Sequence, residues 1–319
     1  MTLTTGGSAT YNFIGNREDL SNEIYMISPE ETPFLSMIGR GKADATYHEW
    51  QTDALAAVDR TNWQLEGDDV TPATSAPTTR IGNYCQISRK TWAITGTQEV
   101  VDKAGRSSEV AYQKAKRGKE LRIDIEAIAL NTQGQAAGAT NSVRKARGLE
   151  SWLATNTRRG TGGADATGAI YAPADATAGD MRTFTEALLV GLLQDMRVAG
   201  SKIAGATIMT GPVNRNRVSN FTGRANTRHV ITSGEKLQGT ASIYASDYGD
   251  LKVIDNLWQR ERSVFVIDPE MASIDYLRPI GSENLAKIGD SIRGYMLAEW
   301  TLKVSNEAAH GIVADVLTT

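Results

Sequence analysis

The residues of this 319-residue chain that could do chemistry are few and scattered. Its three histidines, His48, His229 and His310, sit in three separate stretches. A fold would have to gather them before they could share a metal ion or relay a proton. His48-Glu49 has no second histidine four residues on, so the zinc-protease helix pattern is absent. No G-x-S-x-G elbow occurs. Gly39-Arg40-Gly41-Lys42 lacks the upstream glycine and the following Ser or Thr of a phosphate-binding loop, and Asp44 breaks any G-x-G-x-x-G. Asp68-Asp69 could hold a cation, but two carboxylates at a loop tip read first as a solvated turn. The single cysteine, Cys85, has no neighbouring His or cation and reads as a small hydrophobe in a packed strand. Arg144, Lys145, Arg147, Arg158 and Arg159 form the one cluster suited to phosphate, and they read equally well as a solvated or intersubunit loop. No catalytic, cofactor or metal site is assigned, and the expectation is a protein that is not an enzyme.

Composition narrows the class further. A net charge of −3 does not suit a dedicated nucleic-acid binder, and 40% hydrophobic residues suffice for one large domain or two. One cysteine excludes an intrachain disulfide. No apolar run reaches the roughly 18 residues of a membrane span. Met1–Gly15 has neither a charged nor an apolar leader region and reads as a small polar arm.

The elements that must position these residues are mixed. A short helix is expected at 18–27, then an apolar cluster at Phe34, Leu35, Met37 and Ile38. A long helix is expected at 107–131, with Ser107 and Ser108 as caps and Val110, Leu121, Ile125 and Ile128 along one stripe. Its front half is too polar for a core. Residues 134–180 read as loops around Leu149, Trp152 and Leu153. A buried helix follows at 184–199, with Thr183 and Glu186 spaced as a capping box. Ala206–Thr210 reads as a strand, Gly211-Pro212 as a helix start, and 223–241 as a basic loop. Strands are expected at 242–246, 250–254, 263–267, 272–278, 285–289 and 293–304. Without βαβ alternation the class is α+β.

Residues 44–95 stand apart. The chain runs out through Tyr47-His48-Glu49-Trp50, turns in a Pro/Gly/Thr-rich stretch near 66–79, and returns through Tyr84-Cys85-Gln86-Ile87 to Trp92. The returning limb has apolar groups on both faces: Ile81, Cys85 and Ile87 on one, Tyr84, Trp92 and Ile94 on the other. A lone two-stranded ribbon is marginal in water, so this arm needs a surface to lie on, and a second copy would supply one. Charge supports the same pairing. The arm carries Asp44, Glu49, Asp53, Asp59, Glu66, Asp68 and Asp69 against Arg60. The long helix and its approach carry Lys103, Arg106, Lys114, Lys116, Arg117, Lys119 and Arg122 against Glu109 and Glu120. An acidic arm over a basic spine would set register between copies. The expected contacts are Trp50, Asp59, Glu66, Asp68, Asp69 and Tyr84 on the arm, and Lys114, Lys116, Arg117 and Lys119 on the spine; two solvated faces is the alternative.

The order of these segments, with Asn16-Arg17-Glu18-Asp19-Leu20 through Ser28-Pro29-Glu30-Glu31-Thr32-Pro33-Phe34 and the ending Thr301-Leu302-Lys303-Val304-Ser305-Asn306-Glu307-Ala308-Ala309-His310-Gly311, resembles a tailed-phage major capsid protein of the Hong Kong 97 fold. The resemblance implies a lead-in at 1–42 and an extended loop at 43–95 lying across a neighbouring subunit. It implies a peripheral domain at 96–181 plus 284–303 with the 107–131 helix as spine, and an axial domain at 182–283 plus 304–319. It implies hexamers and pentamers closing into a shell around double-stranded DNA touched without sequence preference. The expected partners are further copies and portal and scaffolding or cement proteins; no membrane and no small-molecule substrate is expected. Positions 43–89 hold no lysine, so the lysine–asparagine cross-link of some capsids of this fold is not expected. A nanocompartment shell of the same fold, a phage tail component and an enzyme of unknown class are the rival readings.

Overall fold

The computed structural model describes residues 28–318 except 30, 71, 73, 75, 76, 178, 179 and 222–242. The Met1–Gly15 arm, the 18–27 helix, the 223–241 loop and His229 lie outside the described residues. The chain enters through α1 (Pro33–Met37) and β1 (Gly39–Lys42). The outgoing limb of the arm is β2 (Tyr47–Thr52); the return is split into β3 (Thr79–Tyr84) and β4 (Gln86–Thr95). After α2 (Gly96–Val100) comes the spine, α3 (Glu109–Ala129). Then follow α4 (Leu149–Trp152), β5 (Thr157–Arg158), α5 (Glu186–Val198), β6 (Thr207–Thr210), α6 (Pro212–Ser219), β7 (Ile243–Ser246), β8 (Gly249–Asp255) and β9 (Val264–Ile267). The chain closes with β10 (Ala272–Asn284), β11 (Ser291–Val304) and β12 (Gly311–Val313).

Two sheets carry the body, in the orders β1-β10-β11-β4 and β5-β12-β9-β6-β8-β7; β2 and β3 form a separate ribbon. Residues 272–283, which the resemblance implies for the axial domain, lie in β10, which pairs with β11 and β1. The strand expected at 285–289 is the turn between β10 and β11, where Gly289 takes φ +69°. β1 was not foreseen, because Gly-Arg-Gly-Lys offers no apolar alternation. A Cβ at Gly41 would lie 2.3 Å from an Asp275 carboxylate oxygen, so a larger residue there would have to displace that side chain.

The spine follows from its sequence. Ser108 Oγ accepts from the Ala111 N–H at 3.2 Å, and Glu99 accepts from the Glu109 and Val110 N–H groups at 2.9 and 3.3 Å. Four otherwise unpaired donors sit at any helix start, and a carboxylate there also favours the dipole. Leu121, Ile125 and Ala129 are buried in the back half, while the polar front half stays partly exposed. Glu126, fully buried, joins three parts of the chain. Its carboxylate accepts from the Phe34 and Leu35 N–H groups, both at 2.8 Å, and from Asn256 Nδ2 at 2.7 Å. Burial pushes its carboxyl above the usual range, opposed by those donors.

α5 carries Leu189, Leu192, Leu193 and Met196 into a core shared with Ile208, Leu251, Val264, Val266 and Val316. Its N-cap is Thr185 without a side-chain bond, so the Thr183–Glu186 capping box does not form. A second core joins Phe34, Leu121, Ile125, Leu149 and Trp300 to Phe265 and Ile312 of the larger sheet. His310 is buried between these parts; its Nδ1 accepts from the Asp268 N–H at 3.2 Å.

Candidate subunit-contact site

The ribbon is anchored at its base. Trp50 pairs with Ile81 across it, is 8% exposed, and stacks on Trp152 with ring centroids 5.6 Å apart. Trp50 is therefore a core residue of its own chain, which corrects its assignment as a subunit contact. Tyr84 stays partly exposed and stacks on Tyr47 at 4.5 Å. Cys85 is buried where the return limb breaks: its N–H donates to the Thr46 carbonyl at 2.8 Å. Burial pushes its thiol up to about 11, which suits packing and not nucleophilic chemistry. Trp92 and Ile94 are buried as well. The return limb's apolar groups thus find most of their cover inside the chain, because β4 leaves the ribbon and pairs with β11.

The tip has no such cover. Every described residue from Asp53 to Arg80 is exposed. Leu55 is 99% exposed, Trp63 76% and Val70 88%, and Val58 and Leu65 are similarly bare. These are the contact candidates that the sequence reading missed. They sit among Gly, Pro and Asp without periodicity, so no pattern marked them, although tryptophan in such a stretch is itself a signal. Asp59, Glu66, Asp68 and Asp69 are all on this tip. Asp59 accepts from the Thr61 N–H and Oγ1 at 2.8 and 2.7 Å, which holds its carboxyl below the usual range. Asp68 accepts from the Asp69 N–H at 2.9 Å.

On the spine, Lys114 Nζ lies 5.6 Å from the centre of the Trp92 ring, and Arg117 donates to Glu120 at 2.5 Å. Lys116 is half-buried and Lys119 exposed. The spine therefore presents its charge beside β4, and not as a bare basic stripe.

The basic cluster is mostly spoken for. Arg144 pairs with buried Glu299. Arg147 stacks 4.4 Å from the Trp152 ring centre and donates to the Ser151 carbonyl at 2.6 Å; burial lowers its pKa to about 10. Arg158 pairs with Asp195 at 2.6 Å, and Arg159 with Asp165 at 2.5 Å and with buried Glu150 at 3.4 Å. Glu150 also accepts from Arg260 at 3.2 Å and Ser263 at 2.9 Å. Four of the five proposed genome contacts are thus tied into the body, which leaves Lys145 as the exposed cation of that group. Glu299 and Asp195 lie far along the chain from Arg144 and Arg158, which hid those pairs from the sequence, whereas Asp165 and Glu150 are only six and nine residues from Arg159.

His48 approaches Asp275 at 2.9 Å, apart from His310, and no group of residues suited to a metal occurs among the described residues. No described helix is long and apolar enough to cross a membrane.

The comparisons agree with this architecture. The chain is similar to the capsid of cyanophage A-1(L), with a TM-score of 0.62 at 13% identity, covering 99% of this chain and all of that one. It is similar to the capsid of cyanophage P-SCSP1u, with a TM-score of 0.62 at 11% identity over 100% of this chain and 99% of that one. At such identities the likeness shows the fold, the Hong Kong 97 architecture of phage capsids. The major capsid protein of Escherichia phage Phieco32 is 37% identical over 126 residues, 40% of this chain and 36% of that protein. That match spans about a third of the relative's length. The family described as SU10 major capsid protein matches residues 3–317, nearly the whole sequence, and the chain belongs to that family.

Proposed function

We propose that this chain is the repeating subunit of a tailed-phage head, associating through its arm into hexamers and pentamers that close into an icosahedral or prolate shell around double-stranded DNA. The observation that carries the reading is the arm tip: a stretch with Leu55, Val58, Trp63, Leu65 and Val70 in solvent, on a ribbon whose base is locked into the body. A monomer gains nothing from so large an apolar display, whereas a contact between copies removes it from water. Each copy offers its tip to one neighbour and receives another, a head-to-tail arrangement that closes rings. Residues 43–95 serve as the extended loop, and the two sheets as the bodies of the peripheral and axial domains. Genome contact is sparse and salt-sensitive, with Lys145 the best placed of the proposed cations. Portal and scaffolding or cement proteins are separate chains, and assembly takes place in the host cytoplasm before the subunit resides in the virion.

The test is direct. Purified protein imaged by negative stain is expected to give closed shells or six-membered rings. Particles from infected cells are expected to hold nuclease-protected double-stranded DNA. Persistent monomers under all assembly conditions would defeat the reading, and a cargo enzyme in place of DNA would favour the nanocompartment shell.

A further inference from the structure

The sheet β1-β10-β11-β4 is covered on one face only. Successive residues of a strand point to opposite faces. On one face Ser88, Trp92 and Ile94 of β4 and Ala298, Trp300 and Leu302 of β11 are buried. α3 packs on that side: Lys90 pairs with Asp124 at 2.7 Å, and a Cβ at Gly118 would lie 3.3 Å from Met296. The alternate residues of β4, Ile87, Arg89, Thr91 and Ala93, are all exposed. Such alternation marks an antiparallel sheet with one face in water. The register sets Arg89 opposite Leu297 and Ala93 opposite Arg293, while β10 adds Arg278 opposite Glu299 and Glu283 opposite Tyr295. The loop that carries Arg144 borders this face, sharing with Ile87 the walls of a hollow of about 450 Å³.

This open face is cationic in a chain whose net charge is −3. Arg89, Arg278 and Arg293 come from three strands, and Arg144 and Lys145 from the bordering loop. The two carboxylates among them are already engaged. Glu299 is buried between Arg144 and Arg278, the latter at 2.8 Å, and Glu283 accepts from the Tyr295 hydroxyl. That bond raises the Tyr295 pKa, and Arg278 and Arg89 lie near enough to oppose the rise. Arg89 and Lys145 are exposed, with no hydrogen bond or ion pair among the described residues. Arg293 donates to the Ser291 hydroxyl at 2.9 Å and has no carboxylate partner. Arg89 and Arg293 stand four residues apart along paired strands, about 13 Å. Cations spread so far over an open sheet suit a repeating polyanion, not one small phosphate. The exposed apolar groups, Ile87 and Val143, are confined to the loop end, so the face lacks the central apolar anchor of a protein contact.

We infer that the open face of β10, β11 and β4 contacts the phosphate backbone of double-stranded DNA, with Arg89, Arg293 and Lys145 donating to phosphate oxygens. The inference rests on the reading that the shell encloses DNA, and deepens it by naming the surface. Glu299 positions Arg278 and Arg144 beside these three, and no base is read.

The experiment measures binding of the full, unassembled chain to short fluorescent duplexes of two unrelated sequences, by anisotropy, from about 50 to 200 mM salt. Both duplexes are expected to bind alike. The combined variant Arg89→Gln, Lys145→Gln and Arg293→Gln is expected to flatten the slope of log affinity against log salt by about 2–3, since each lost phosphate contact removes about 0.9. Arg89→Gln alone is expected to remove about one. Melting temperatures are expected to stay the same, because none of the three is in an ion pair, and an unchanged melt shows that the variants are folded. A control, Arg40→Gln, Lys202→Gln and Lys252→Gln, removes as many exposed cations elsewhere and is expected to leave the slope alone. No binding by the unaltered chain, a preference for one sequence, or equal slopes in the variant and the control would each overturn the inference. So would a co-purified acidic protein, or a second copy of the chain, that loses its hold in the variant while DNA binding persists. Particles that hold DNA while the variant keeps the unaltered slope sink the inference alone. Particles without DNA sink the reading beneath it.

Discussion

The arm tip and the α5 core use the same residue types to opposite ends. Leu192 and Leu193 on α5 are 0% and 1% exposed, while Leu55 and Leu65 on the tip are 99% and 80% exposed. The core's leucines recur at helical spacing against a sheet of the same chain, so their burial is complete on folding. The tip's leucines follow no period and face no element of their own chain. Hydrophobic content therefore does not decide whether a segment is a core; the geometry of what the chain can bring to it does. The core is finished by one chain; the tip, on the proposed reading, is finished by two.

Deleting residues 56–78 breaks this contrast most completely. Assembly into shells or rings is expected to be lost, while the unassembled chain keeps its circular dichroism spectrum and melting temperature. Every described residue in the deleted span is exposed, and Trp50 stays packed on Trp152. Normal shells from the deletion variant would show that the tip's apolar groups are not a contact.

Point substitutions sharpen the same contrast. Leu192→Ala empties a fully buried position and is expected to cost about 2–5 kcal/mol in denaturant unfolding. Trp63→Ala, in solvent, is expected to change monomer stability by less than about 0.5 kcal/mol, yet to raise the concentration needed for assembly. Equal effects of the two on unfolding would mean that the tip is buried in its own chain after all.

The contrast also explains what could be read from the sequence. α3 and α5 were legible because a stripe at helical spacing and their flanking Ser, Thr and Gly residues are local signals. β6 and β9 were legible as short runs buried on every residue. The split of the return limb at Cys85 was not. Whether β4 stays in the ribbon or crosses to β11 depends on a partner some two hundred residues away. The same holds for the arginines. Arg144 and Arg158 looked like part of a basic patch because Glu299 and Asp195 reach them only through the fold. The charge on the tip and the spine was visible in the sequence. The bareness of Trp63 needed the structure.

A pH series separates the two regions again. Burial holds the His310 imidazole down to about 4, from an ordinary 6.5. Between these values the unfolded chain takes up a proton and the folded chain does not. Stability is therefore expected to fall as pH drops from about 6.5 to 4, by at most about 3 kcal/mol. His310→Gln, which retains an acceptor for the Asp268 N–H, is expected to flatten that slope in unfolding experiments at several pH values. The tip deletion is expected to leave it unchanged, because the tip contributes no buried titratable group. A slope that persists in His310→Gln would assign the acid sensitivity to another group.

The smallest expected effect per residue is electrostatic, and it tests whether tip and spine meet. Lys114, Lys116 and Lys119 changed together to Glu reverse the charge that the spine shows beside β4. Asp59, Glu66 and Asp69 changed to Lys reverse the tip. Exposed ion pairs contribute only about 0–1 kcal/mol each, but a closed shell repeats the contact at every subunit, so a small change per contact decides whether rings close. The spine reversal alone is expected to block or misdirect assembly, read by sedimentation and negative stain, and to lower the monomer's stability slightly because Lys114 also sits over the Trp92 ring. The combined reversal restores opposite charge across the contact without restoring that ring contact. It is therefore expected to recover assembly in part while the small stability loss remains. If the double reversal assembles no better than the spine reversal alone, charge does not couple the tip to the spine, and the tip's cover must come from another surface of the neighbouring copy.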